Sequence, residues 1–123
     1  MYPIASQLAG AKGIKVIDIN YKNSIKNFIK SVTKKTKIIF IANPNNPTGT
    51  YLTKKELDEF IIKLPKRILL VIDAAYAEYV TKEDYTSGID LVKKNNNIIM
   101  TRTFSKIYGL AGQRLGWAYS SKY

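Results

Sequence analysis

Two hydrophobic rhythms alternate along the chain, one helical and one of buried strands. Ile25, Phe28, Ile29 and Val32 fall at i, i+3, i+4 and i+7. That spacing predicts an amphipathic helix from Ser24 to about Lys34, capped by Ser24. Ile38-Ile39-Phe40-Ile41-Ala42 is instead an unbroken apolar run of strand length, as expected of a strand covered on both faces. Thr53-Lys54-Lys55-Glu56 places a hydroxyl three residues before a carboxylate, the signature of a capping box. Leu57, Phe60, Ile61 and Leu64 then mark one helical face, and Pro65 stops it. A second buried strand, Ile68 to Ile72, closes on Asp73, and a third, Ile98 to Phe104, follows a short helix over Ile89 to Lys94. Weaker signals predict a helix within Tyr2 to Ala11 stopping near Gly10 or Gly13, a strand over Lys15 to Ile19, and another over Leu115 to Tyr119. Such alternation predicts an α/β fold, a mainly parallel sheet layered by helices.

Composition narrows the chemistry. At 123 residues the chain is at most one domain, and 46% apolar content is that of a globular protein. It has no cysteine and no histidine, which excludes disulfides, thiolate or imidazole zinc sites and Ser-His triads. No apolar run approaches the ~20 residues that span a bilayer, and the start lacks the charged and apolar regions of a signal peptide. A cytoplasmic protein with no membrane partner is expected. The net charge of +11 usually prompts a nucleic-acid reading. Here the lysines are dispersed, and only Arg67, Arg102 and Arg114 supply guanidinium groups. Dispersed charge acts on solubility and steering, so no nucleic-acid partner is expected.

Three stretches at predicted strand ends carry the candidate chemistry. Asn43-Pro44-Asn45-Asn46-Pro47-Thr48-Gly49 follows the first strand. It is good turn chemistry, and its prolines also hold an Asn amide in place. Asp73-Ala74-Ala75-Tyr76-Ala77-Glu78-Tyr79 follows the second. A carboxylate at the end of a buried strand must find a partner, because an unpaired buried charge is costly. Thr103-Phe-Ser-Lys-Ile-Tyr-Gly-Leu-Ala-Gly-Gln-Arg-Leu-Gly116 follows the third. Lys106 sits just past the strand end, where open α/β sheets place ligand-binding groups. Thr103, Ser105 and Arg114 surround it in sequence. A lysine forms an imine with an aldehyde, and an arginine with hydroxyls holds a phosphate dianion.

In order and spacing, the three stretches resemble the signatures of the fold-type I pyridoxal-phosphate aminotransferases. These run Asn-Pro-x-Asn-Pro-Thr-Gly, Asp-x-x-Tyr-x-Glu and Ser/Thr-Phe-Ser-Lys-x-x-Gly-Leu-Ala-Gly-x-Arg-x-Gly. Within that family they look most like the histidinol-phosphate aminotransferase group. The resemblance implies that pyridoxal 5'-phosphate is the cofactor and that Lys106 forms its imine and moves the substrate's Cα proton. By the same resemblance Asp73 faces the pyridine nitrogen, Tyr76 and Asn46 bond the phenolic oxygen, and Thr103, Ser105 and Arg114 bind the phosphate. Tyr2 either stacks on the pyridine ring or is an ordinary exposed aromatic; Glu78 is read as structural.

The implied reaction transfers an amino group from a small-molecule donor to a 2-oxo acid. Its form in the resembled group is histidinol phosphate plus 2-oxoglutarate giving imidazole acetol-phosphate and glutamate, a step of histidine biosynthesis. Another fold-type I reaction, on a different amino acid or a decarboxylation, remains an alternative, as does a non-catalytic piece that only binds cofactor or oligomerises. Gln113 and Ala5 depart from the pattern, beside Arg114 and at the substrate end. Residues 1–123 are expected to be an internal part of the cofactor-binding large domain. A preceding phosphate-binding turn and a C-terminal small domain are expected outside it, and the full-length protein is expected to be a homodimer.

Overall fold

The computed structural model describes residues 2–121. Four strands form one sheet in the order β1 (Ile38–Ala42), β2 (Leu69–Asp73), β3 (Ile98–Thr103), β4 (Gly116–Ser120). The first three are parallel and β4 runs antiparallel to β3. The helices are α1 (Tyr2–Leu8), α2 (Ile25–Ser31), α3 (Lys54–Lys63) and α4 (Ile89–Lys94). With consecutive strands side by side, right-handed crossovers put α3 and α4 on the same face of the sheet.

The core follows from that one-sidedness. Ile39 and Ile41 of β1, Leu70 and Ile72 of β2, and Ile98 and Met100 of β3 share the covered face. Leu57, Phe60 and Ile61 of α3 and Leu91 and Val92 of α4 pack onto it. Phe28 of α2 meets Phe60 with ring centroids 5.8 Å apart. Burying each such side chain stabilises the fold by about 1.5–3 kcal/mol. The opposite face is open at β1, where Ile38 is 48% and Phe40 37% exposed, while Val71 of β2 is buried there. β1 is therefore covered on one face, not two as its apolar run suggested, because both crossover helices occupy the other side.

Local chemistry explains the boundaries. Ser24 caps α2 by accepting the Asn27 amide at 3.3 Å. That helix ends at Ser31, sooner than the periodicity implies, because Val32 turns extended and the Arg67 guanidinium clamps the Thr33 and Thr36 carbonyls at 2.9 and 2.8 Å. The capping box of α3 is present in both directions, Thr53 Oγ1 accepting from Glu56 N and Glu56 Oε2 from Thr53 N. Lys15 to Ile19 is not a strand. Only an isolated bridge, Ile19 with Lys22, forms there, and Ile17 is 75% exposed. A strand needs a neighbour to take its backbone hydrogen bonds, and among the described residues none runs beside this segment.

Thr53→Ala removes one arm of the box and is expected to cost about 1 kcal/mol. A urea midpoint unchanged from wild type would show that the cap does not stabilise the fold.

Candidate active site

The parallel register brings three strand ends abreast: Ala42 lies beside Asp73, and Asp73 beside Thr101. The loop after β1 is locked by Asn43, which is fully buried. Its amide donates to Leu52 O at 3.2 Å and accepts from Leu52 N at 2.7 Å. Its backbone N–H reaches Asp73 O at 2.9 Å, and its carbonyl accepts the Tyr85 hydroxyl at 2.8 Å. Asn45 is tied to Asp18 and Thr48, each at 3.0 Å. Asn46 stands on the exposed rim of this loop, with no hydrogen bond to Tyr76 or Asp73.

Asp73 ends β2 half-buried. Its Oδ1 accepts the Ala75 N–H at 3.1 Å and its Oδ2 accepts the Tyr2 hydroxyl. The Tyr2 ring stacks on Phe40, centroids 4.9 Å apart and planes 15° off parallel. Burial, and then the Asp73 carboxylate beside it, push the Tyr2 phenol well above its usual range. Three residues on from Asp73, the half-buried Tyr76 ring carries the Lys106 ammonium 4.9 Å from its centroid. A cation over a π face is held electrostatically while remaining open to solvent.

The connection between β3 and β4 carries the other polar groups. Thr103 Oγ1 accepts the Ser105 N–H at 3.1 Å and donates to Leu115 O at 3.4 Å. Gly109 N closes on Lys106 O at 2.9 Å, and Leu110 N on Phe104 O at 3.0 Å. Gly109 has φ +68°, which a residue with a Cβ rarely adopts. Arg114 is also left-handed, with φ 53°, and its guanidinium donates to Ala111 O at 2.9 Å. A Cβ at Gly116 would lie 2.7 Å from Arg102 O, so glycine is required where β4 starts. Lysine, hydroxyls and arginine thus share one short connection.

Sequence reasoning passed over Arg102. It pairs with Glu78, both side chains largely buried, and lies 5.6 Å from the Trp117 ring centroid. The pair ties the turn after β2 to the β3–β4 hairpin. Arg102 Nε is buried without a hydrogen-bond partner. The available signal was a basic residue inside an apolar strand, facing an acid in the preceding motif. Burial raises the Glu78 carboxyl, but Arg102, the Glu78 backbone amide and the Tyr108 hydroxyl outweigh it and hold the group below its usual range. The strand-end site is an open shelf. Two surface depressions among the described residues, one at Lys66 and Lys94 to Asn97 and one at Ile19, Lys22 to Ile25, Leu52 and Glu56, lie elsewhere.

Residues 1–122 match a family model described as aminotransferase class I and II. The histidinol-phosphate aminotransferase of Pelagibacter ubique is 56% identical over 122 residues, covering 99% of this chain and 34% of the relative. That of Rhodospirillum centenum is 50% identical over 119 residues, covering 97% and 33%. The crystal structure of histidinol-phosphate aminotransferase from Sinorhizobium meliloti in complex with pyridoxal-5'-phosphate superposes with TM-score 0.88 at 30% identity, over 97% of this chain and 32% of that one. The chain spans about a third of the length of the curated relatives it matches.

The Arg102–Glu78 pair has a pH signature. With its folded titration below the ordinary value of 4.5, Glu78 contributes stability that is full above that value and lost as pH falls through the lowered one. Glu78→Gln is expected to be less stable than wild type at pH 7, the two converging on acidification. Urea midpoints that stay equal throughout would mean the ion pair is energetically silent.

Proposed function

This chain belongs to the aminotransferase class I and II family, and from that premise we propose that the protein performs pyridoxal-phosphate-dependent transamination with histidinol phosphate as amino donor. The proposed acceptor is 2-oxoglutarate, the products imidazole acetol-phosphate and glutamate, and the role histidine biosynthesis. Relatives of that name at up to 56% identity support the choice of donor. The observation that carries the chemistry is the Lys106 amine over Tyr76, on the strand edge where Asp73 presents its carboxylate.

The donor set suits the cofactor. Lys106 is an exposed primary amine, Asp73 a carboxylate with acceptor capacity beyond its two present bonds, and Thr103, Ser105 and Arg114 an anion-binding set on one connection. Bound there, pyridoxal phosphate supplies an electron sink for the charge left when an amino acid's Cα proton departs. Lys106 Nζ would take up that proton and return it, with the Tyr76 face holding the amine at the strand edge. Asp73 would hold negative charge at the ring nitrogen and so favour its protonated form. Tyr76 and Asn46 would donate to the cofactor's phenolic oxygen, and Arg114, Thr103 and Ser105 would hold its phosphate dianion.

We further place the chain within the large domain of a longer, cytoplasmic homodimer. Exposed Trp117 and Tyr119, two residues apart on β4, support packing against further protein, because contiguous apolar surface marks interaction sites. No helix among the described residues is long and apolar enough to cross a membrane.

Borohydride reduction of the protein with pyridoxal phosphate is expected to leave one adduct, mapped by mass spectrometry to Lys106 and lost in Lys106→Ala. An adduct that persists elsewhere in that variant overturns the assignment. Asp73→Asn is expected to lower the transamination rate of the whole protein by about a hundredfold with little change in melting temperature. Wild-type rates would reduce Asp73 to a structural group.

A further inference from the structure

Tyr2 reaches the site in an unexpected way. Its ring is occupied by Phe40, and what it offers Asp73 is its hydroxyl. The geometry follows from the sheet. In the register of β1 and β2, Phe40 lies beside Val71 and Ala42 beside Asp73. Side chains two apart share a face, so Phe40 and Asp73 project from the same side, opposite the helical core. A ring stacked on Phe40 spans to Asp73 with its hydroxyl leading.

The two carboxylate oxygens are thus committed differently. Oδ1 takes the Ala75 amide, two residues on along the chain, while Oδ2 takes a phenol from 71 residues away. Each oxygen has about two acceptor directions, so capacity for a further donor remains once both bonds are made. A hydrogen bond from a neutral donor to an ionised carboxylate is of the charge-assisted kind, stronger than a neutral pair. Together the two bonds fix the plane of the carboxylate.

We propose that Tyr2 is a positioning residue for Asp73. Stacked on Phe40, it holds Oδ2 so that the carboxylate is aimed at the ring nitrogen. This rests on the transaminase reading above and extends it: Tyr2 acts through Asp73 by its hydroxyl rather than on the cofactor by its ring. The other strand-end groups are not involved. Lys106 rests on Tyr76, and Arg102 is turned to Glu78 and Trp117.

The test compares pyridoxal phosphate with deaza-pyridoxal phosphate, in which a C–H replaces the ring nitrogen, by their dissociation constants for wild type, Tyr2→Phe and Asp73→Asn. Tyr2→Phe keeps the stack on Phe40 and removes only the hydroxyl. It is expected to weaken pyridoxal phosphate about tenfold, as loss of a hydrogen bond to a charged group does, and to leave the deaza compound's affinity at the wild-type value. Asp73→Asn is expected to show the same selectivity, larger in size. Equal affinity of wild type and Tyr2→Phe for the natural cofactor overturns the proposal. So does an equal loss for both compounds, which reports packing or folding rather than action at the ring nitrogen. Borohydride trapping on wild type separates the two levels. A Lys106 adduct without the Tyr2 selectivity removes this assignment alone; no adduct removes the reading beneath it as well.

Discussion

Everything at the candidate site hangs on the parallel ladder that runs from β1 through β2 to β3. Parallel strands all finish at one edge, so three loops far apart in sequence begin within a strand spacing, ~4.8 Å, of their neighbours. The ladder continues one residue past the strands: Asn43 N bonds Asp73 O, and Ala74 N bonds Thr101 O, each at 2.9 Å. The loops therefore leave the sheet already oriented. Were the first pair shifted by one residue, Asp73 would exchange faces and lose Tyr2. The apolar core on the opposite face holds that register, and Ala74 and Ala77 of the turn after β2 belong to that core, so core packing and site geometry are linked.

A second layer of organisation is electrostatic. Each rim cation has a different kind of partner: Lys106 a π face, Arg102 a carboxylate and an indole, Arg114 a backbone carbonyl. Only Arg102 is largely buried, and its partner Glu78 is buried with it. Removing one member of such a pair strands the other in a poor solvent for charge. The exposed pair of Lys106 and Arg114 keeps its charge in water at little cost. Structural charge lies beneath the shelf, and the charge offered to ligands lies on it.

Much of this was legible in the sequence, for identifiable reasons. Strands β1 to β3 announce themselves as continuous apolar runs, α3 by its capping box, and the three loops by composition at the strand ends. Lys15 to Ile19 has the β-branched composition of a strand, yet composition cannot supply a neighbour to pair with. The bare face of β1 was likewise hidden, since an apolar residue reads the same whether a helix covers it or not. Tyr2 and Phe40 lie 38 residues apart, so their stack, and with it the hydroxyl on Asp73, depends on tertiary placement. Arg102 was visible as an anomaly in an apolar strand, but its pairing with Glu78 needed the turn after β2 to fold back.

The open face of β1 and the unpaired outer edges of β1 and β4 also govern how the isolated chain ages. Exposed strand edges template further pairing, and every residue of β4 is exposed. On heating, association of copies at such edges competes with refolding. The loss of native protein then becomes second order in concentration and dependent on scan rate. For this chain, durability in solution is a property of the population rather than of the single molecule.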